Sequence, residues 1–390
     1  MIERKLIELQ PVELKLIELW VFLRIFTLIW ASLSSGIRPM TDREKAIALW
    51  PPSPPYSAWV ERVVVAPWQR WDAHFYVEIV QRGYRADDGT AQFHPLLPVM
   101  AKPFFWSPAL GLLIVSSLAG LAFVIVFYRL AALDIPNAET ATRLMLAFPV
   151  SFILFAPYTE SVWLLFAALS FWYTRKDRMW MAGSAGALAV LTRQQGMFLI
   201  IPLAYELWQR RDRRWQSWAA LMLIPLALLG WLVYRAINFS DVHPDFSSFN
   251  SLLYTTLLAP SATKVVEIQA VLPPWEALWK AITITQQYPT RGNILNLVIA
   301  GVMILLALVA WPRMRVSYRI LTVMLFLIAF AYHTGPETPY MGLPRHLLLA
   351  FPVFIGSAPV LERFKNPVAA IGMFATLALT FFYVLHAWVP

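Results

Sequence analysis

The sequence has no cysteine, which excludes disulfides, thiolate metal sites and a cysteine nucleophile. Charge is scarce as well. Only 14% of the 390 residues are Asp, Glu, Lys or Arg, against about a quarter in soluble domains. No basic run stands clear of a hydrophobic stretch. A nucleic-acid partner is therefore not expected, despite a formal net charge of +9. A signal-peptide pattern is missing too. Met1 to Leu19 mixes Glu3, Arg4, Lys5, Glu8, Glu13, Lys15 and Glu18 with apolar residues, then runs on into a long apolar span. It reads as an uncleaved first helix with an amphipathic lead-in. No repeat of solenoid period is visible.

What the chain has in quantity is apolar surface. Hydrophobic residues make up 59%, 18 of the residues are Trp, and the mean hydropathy is +0.57. That is more than a soluble core buries, so lipid must solvate most of it. A spanning helix takes about 20 apolar residues, fewer where neighbours or polar cavities help. The chain then reads as one all-α polytopic membrane domain, 1–390. About eleven spans fall near 15–33, 108–128, 141–157, 159–173, 179–192, 195–208, 216–235, 294–311, 318–333, 345–361 and 367–388.

Basic residues test this scheme, because short cytoplasmic loops carry the excess of Lys and Arg. Arg129 and Arg143, then Arg175, Lys176 and Arg178, then Arg210, Arg211, Arg213 and Arg214 fall on one side. Arg313, Arg315 and Arg319, with Arg363 and Lys365, join them. That side is cytoplasmic if the N-terminus is. The opposite, extracytoplasmic side receives two long loops, 34–107 and 236–293. The first opens with Pro51-Pro52-Ser53-Pro54-Pro55, which no regular helix tolerates. Trp59, Val60, Val63, Val64, Val65, Trp68 and Trp71 follow, in a pattern that fits a helix lying in the interface.

Asp72 is the first candidate for chemistry. A carboxylate can deprotonate an acceptor hydroxyl within hydrogen-bond reach, and Trp71, Phe75 and Tyr76 would wall it with apolar rings. It can equally cap the helix that starts at Ala73. Glu160 lies between two spans joined by almost no loop, where an ionisable residue needs a partner or a polar cavity. Arg193 and Arg345 are the cations on the same predicted face, and guanidinium matches phosphate oxygens two at a time. They can also snorkel, or pair with Glu160. His74, His94, His333 and His346, with Asp72 and Glu160, are the residue types of a divalent-metal site. No pair of them has close helical ligand spacing, so a metal cofactor stays open. Arg24 and Glu18 read as helix-facing structural charges.

Several motifs together resemble a known family. Trp71-Asp72 is followed by an aromatic four residues on, Tyr76, then by Gly83-Tyr84 and Phe93-His94-Pro95-Leu96-Leu97-Pro98. Pro157-Tyr158-Thr159-Glu160-Ser161, Thr192-Arg193-Gln194-Gln195-Gly196 and Pro344-Arg345-His346 come later, all on one predicted face. This order resembles the PIG-V mannosyltransferases of the GT-C superfamily, which use polyprenyl-phosphate sugars. Gln194-Gln195 stands where the family usually has Ser-Asn, and His94 where it often has an aromatic. The resemblance implies an inverting transfer of a sugar, most often mannose, from a polyprenyl-phosphate donor to a lipid-linked or glycan acceptor. Asp72 would be the base. Arg193 and Arg345 would meet the phosphate, and Trp71, His74, Tyr76, His94, Glu160, Gln194 and His346 would contact substrate. The site would face away from the cytoplasm, at the plasma membrane of a bacterium or the endoplasmic reticulum of a eukaryote. A GT-C transferase with a protein or lipid A-like acceptor, or a transporter of lipid-linked sugars, is the alternative.

Overall fold

The computed structural model describes residues 9–48, 59, 61–85, 88–238, 247 and 270–388. The first eight residues, the Pro51–Pro55 stretch, Val60, Asp87 and most of the second long loop lie outside them. The architecture is all-α and polytopic. Five helical stretches are long and apolar enough to cross a membrane: Pro11–Ile37, Pro108–Ala131, Trp215–Asn238, Arg291–Arg313 and Pro352–Val384. Met179–Thr192 and Val316–Ala331 are shorter apolar helices.

In chain order the helices are α1 (Pro11–Ile37), α2 (Asp42–Ala48), α3 (Ala73–Arg82), α4 (Leu96–Ala101), α5 (Pro108–Ala131) and α6 (Ala138–Leu146). Next come α7 (Glu160–Arg175), α8 (Met179–Thr192), α9 (Ile200–Gln209), α10 (Trp215–Leu221) and α11 (Leu223–Asn238). The last group is α12 (Pro274–Gln287), α13 (Arg291–Ala310), α14 (Val316–Ala331), α15 (Leu343–Leu348), α16 (Pro352–Leu361) and α17 (Lys365–Val384). Each predicted span coincides with helical structure, but several are interrupted. The apolar run 141–157 is α6 followed by a 3-10 turn, Ser151–Phe155, with Pro149 between them. The run 195–208 begins as a 3-10 turn, Gln194–Leu199, before α9. The run 216–235 breaks at Met222, ahead of Pro225, and 345–361 breaks between α15 and α16, ahead of Pro352. Proline lacks the amide proton and crowds the carbonyl four residues back, so apolar continuity survives where helical continuity does not.

The first loop shows the same effect. The aromatic stretch before Asp72 forms a π turn, Glu61–Val65, and a 3-10 turn, Ala66–Trp68, broken at Pro67, rather than one interfacial helix. Trp68 is wholly buried, with its backbone carbonyl accepting from the Tyr383 hydroxyl at 3.1 Å.

The bundle has two chemically distinct ends. At one, Arg175 pairs with Asp134 at 2.8 Å, and Arg315 reaches both Asp134 and Glu206, at 3.6 and 3.2 Å. The Tyr318 and Ser317 hydroxyls donate to Asp134 and Glu206. Exposed Trp208, Trp215 and Trp311 ring this end. At the other end lie the start of α3, the first turn of α7 and the loop after α8, with exposed Phe105, Trp106, Trp275 and Trp279. Two aromatic girdles on either side of an apolar belt are the pattern of a membrane-spanning protein. The returning limb of the second loop joins this second end. Ala270–Val271 pairs antiparallel with Tyr332–His333, in register Ala270 to His333 and Val271 to Tyr332.

Small residues bring the central helices into close approach, as expected where burial in lipid gives no hydrophobic drive between helices. A Cβ added at Gly183 on α8 would overlap the Ala220 carbonyl on α10, and one at Gly372 on α17 the Ala147 carbonyl. Neither neighbour is a flexible side chain. Replacement Gly183→Ala is expected to lower stability by about 1–3 kcal/mol, read as a fall in thermal midpoint of the detergent-solubilised chain. Gly230→Ala, whose added methyl meets open space, serves as the control with little change.

Candidate active site

Four charged side chains from four separate parts of the chain meet at the end of the bundle that carries α3. Glu160 opens α7 and is 0% exposed. A carboxylate there is favoured by the free amides of the helix N-terminus, yet full burial demands a cation. Arg193, in extended backbone just after α8, donates through Nη1 to Glu160 Oε1. The same nitrogen donates to Thr159 Oγ1 at 3.1 Å, and Nε reaches Gln195 Oε1 at 3.5 Å. Arg345, on α15, lies with Nε 3.9 Å from Glu160 Oε1 and donates through Nη2 to Asp72 Oδ2 at 2.6 Å. Asp72 and Arg345 are 273 residues apart in sequence.

Local structure aims each of these groups. Asp72 sits at the N-cap of α3 but makes no capping bond; its carboxylate is turned to Arg345 instead. The backbone just before it is pinned from several sides. Trp71 takes the left-handed region, φ 52°. Arg70 is buried and donates to the carbonyls of Val384 (2.9 Å), Ala66 (2.6 Å) and Gln69 (2.9 Å). Its own carbonyl accepts from the buried Tyr158 hydroxyl at 3.0 Å. The Arg345 guanidinium stacks over the Tyr158 ring, 5.1 Å from its centroid. One tyrosine thus links the Asp72 loop, the Glu160 hairpin and α15.

The hairpin that precedes α15 is equally fixed. Thr334 accepts from Met341 N at 2.9 Å and donates to the Thr338 carbonyl. Asn296 on α13 donates to the Tyr340 carbonyl at 2.8 Å and accepts from Trp388 Nε1 at 3.0 Å. Gly342 then takes φ 83°, a left-handed conformation that glycine adopts without strain, and α15 begins.

A cavity of about 230 Å³ lies against this cluster. Asp72, Tyr76, His94, Arg193, Gln194, Arg345 and His346 all line it, together with Gln92, Phe93, Gln195 and the paired Val271 and Tyr332. Glu160 lies behind Arg193, its Oε2 without a hydrogen-bond partner among the described residues. Two of the expected contact residues are elsewhere. His74 bonds the Trp71 carbonyl through Nδ1 at 2.7 Å and packs on Phe75, while Trp71 packs on His386. Neither lines the cavity. Tyr76, two residues past His74 and so on the other side of the same short helix, lines the cavity instead.

The described residues do not by themselves compose a divalent-metal site. Among the described residues no three His, Asp or Glu side chains gather as a ligand set. The carboxylates at the cavity, Asp72 and Glu160, each already face a guanidinium, which would repel a second cation. Arg24 is structural: it donates to the Phe155 carbonyl at 3.1 Å and lies over the Trp68 and Phe155 rings. Arg70 and Arg235 were not singled out from the sequence, one reading as the polar face of an interfacial helix and the other as the end of a span.

His94 is held neutral. Burial is the main cause, and the charges of Arg235 and Arg193 add to it; together they push its pKa down from 6.5 to about 3 against the opposing pull of the Val190 carbonyl. The unfolded chain takes up this proton below the ordinary value, and the folded chain does not until about 3. Stability is therefore unaffected above 6.5 and falls as pH drops from 6.5 toward 3. The loss from this residue should be on the order of 2 kcal/mol near pH 5. Midpoints of wild type and His94→Gln compared between pH 7.5 and about 5 should converge toward acid; parallel curves would contradict the assignment.

No protein-family model matches the chain, and no curated protein matches it. Among solved structures, the crystal structure of ArnT from Cupriavidus metallidurans bound to undecaprenyl phosphate is similar to it, at 15% sequence identity and a TM-score of 0.48. The likeness covers 91% of this chain and 62% of that one. At that level it assigns no residue and no activity to this chain.

Proposed function

We propose that this chain is a membrane glycosyltransferase that moves a sugar from a polyprenyl-phosphate donor to a hydroxyl of a lipid-linked or glycan acceptor. Mannose is the sugar favoured by the motif resemblance, and the extracytoplasmic side is the orientation favoured by the basic loops. The observation that carries the reading is the direct pairing of Asp72 with Arg345 at a cavity wall, backed by Arg193 and Glu160. It puts a carboxylate able to take a proton next to guanidinium groups able to receive a leaving phosphate.

In this reading the acceptor O–H bond breaks and its proton passes to an oxygen of Asp72. The acceptor oxygen forms the new bond to the sugar's anomeric carbon, on the face opposite the phosphate. The bond from that carbon to the phosphate oxygen breaks, and its electron pair stays on the phosphate. Charge grows there as a diester becomes a monoester, and preorganised cations aimed at developing charge lower the barrier. Arg345 has one edge on Asp72, and its Nε, 3.9 Å from Glu160, makes no hydrogen bond among the described residues, so it can grip phosphate while still orienting the base. Arg193 is buttressed by Glu160, which holds its guanidinium in place. Gln194, Tyr76 and His346 supply polar contacts at the cavity wall. No step in this scheme runs through a metal.

The decisive measurement is transfer from a labelled lipid-phosphate sugar in membranes. Asp72→Asn keeps the shape and removes the base, and should lower turnover by about 10²–10⁴-fold. Arg345→Gln should lower turnover by about 10²–10³-fold, since it removes a donor to developing charge. Undiminished transfer by Asp72→Asn would end the proposal. Both variants should keep the wild-type helical signal, because Glu160 retains Arg193 in each.

A further inference from the structure

A second set of unsatisfied donors lies beyond the Asp72 cluster. Arg235 is in the last turn of α11 and only 3% exposed. Among the described residues its Nε and Nη2 have no hydrogen-bond partner. Trp231, one turn earlier on the same face of the helix, is 4% exposed, and its Nε1 also lacks a partner. The Trp231 ring packs between Tyr234, Tyr84 and His94, with centroids at 5.5, 5.2 and 5.9 Å. His94 in turn lines the cavity, with Nδ1 unpartnered. The arrangement is a buried cation, an indole N–H and an imidazole nitrogen behind one wall of the cavity.

This is not the arrangement of a structural arginine. A buried guanidinium without a partner costs several kcal/mol. Arg70, also 3% exposed, donates to backbone carbonyls, and the half-buried Arg24 donates to one as well. Snorkelling to water does not describe it either, since almost none of the side chain is exposed. The two empty nitrogens are the ones along the side edge of the guanidinium, the edge that grips two oxygens of one oxyanion at once. The indole N–H adds a third donor for a third oxygen. A phosphoryl group has an oxygen for each. The His94 Nδ1 is left to accept from a neighbouring hydroxyl.

We infer that Arg235, Trp231 and His94 form a second phosphoryl subsite, which holds the phosphate of the acceptor's lipid headgroup while its hydroxyl faces Asp72. The inference rests on the proposed transfer for the word acceptor, but the binding it asserts stands apart from it. Its position at the end of a membrane-length stretch, Trp215–Asn238, fits headgroup depth.

The test is binding to the purified full chain in neutral detergent, read by thermal midpoint and tryptophan fluorescence. The probes are dioctanoyl phosphatidic acid, dioctanoylglycerol and inorganic phosphate. Phosphatidic acid should raise the midpoint and dioctanoylglycerol should not. Arg235→Gln should weaken the phosphatidic acid response by about tenfold or more, as expected for losing a charge-assisted pair. Without probe it should melt at or above wild type, because it removes an unpaired buried charge. Trp231→Phe should weaken the response less, and Arg345→Gln should leave the Arg235-dependent part intact. An equal response to inorganic phosphate would assign the subsite to free phosphate, and a response to phosphatidic acid alone would assign it to a headgroup. Either supports a phosphoryl subsite. The inference is overturned if Arg235→Gln binds phosphatidic acid like wild type, or if it melts well below wild type without probe. Response lost in Arg345→Gln alone would place the phosphate at the Asp72 cluster, sinking this inference while leaving the transfer reading in place. Undiminished transfer by Asp72→Asn, with phosphatidic acid binding retained and dependent on Arg235, would do the reverse.

Discussion

The buried carboxylate of Glu160 constrains everything around it. A charge with no solvent access, at the first turn of a helix packed inside an apolar bundle, costs several kcal/mol unless cations meet it. Arg193 and Arg345 both meet it at Oε1. Both cations must therefore be delivered to one point, and the paths that deliver them are long. Arg193 requires α8 to end where α7 begins, and Arg345 requires the hairpin after α14 to fold back over the cavity. Asp72 completes the cluster by taking the free edge of Arg345. The close helix crossings at Gly183 and Gly372 serve the same convergence, by letting backbones touch where side chains would hold them apart.

Much of this was legible before any coordinates. Apolar runs located the helices, because the bilayer forces backbone polar groups to pair within each segment. Glu160, Arg193 and Arg345 stood out as ionisable residues at the ends of those runs, and Asp72 as a carboxylate among aromatics in the first long loop; the alternation of basic loops put them on one face. Their pairing did not follow from the sequence. Nothing local to Asp72 says that its carboxylate forgoes the helix amides for a guanidinium 273 residues away. The helix breaks were half visible: Pro149, Pro225 and Pro352 mark them, but an apolar run of spanning length looks continuous when only hydropathy is read.

The residues that sequence reasoning passed over share one reason. Arg70 and Arg235 are each a single arginine in an apolar or mixed stretch, and whether such a residue is satisfied depends on carbonyls contributed by distant elements. Arg70 finds three. Trp71 and His74 show the opposite, since neither lines the cavity. They belong to the most distinctive motif of the chain, yet their rings support the loop from behind, through the Trp71 carbonyl and His386.

On the proposed transfer, one dimension of the central helices bears on how a long isoprenoid would arrive. Helices α7 and α8 have 16 and 14 residues, which at about 1.5 Å per residue makes them roughly 24 and 21 Å long. The hydrocarbon slab is about 30 Å thick. These two helices are therefore shorter than the slab is thick, although stretches such as Pro108–Ala131 are long enough to cross it. Glu160, at the first turn of α7, and Arg193, just past α8, sit at the ends of the short ones. On the proposed transfer, bilayer thickness would then set how far a lipid-phosphate donor must travel to be gripped, which makes its capture a matter of membrane mechanics.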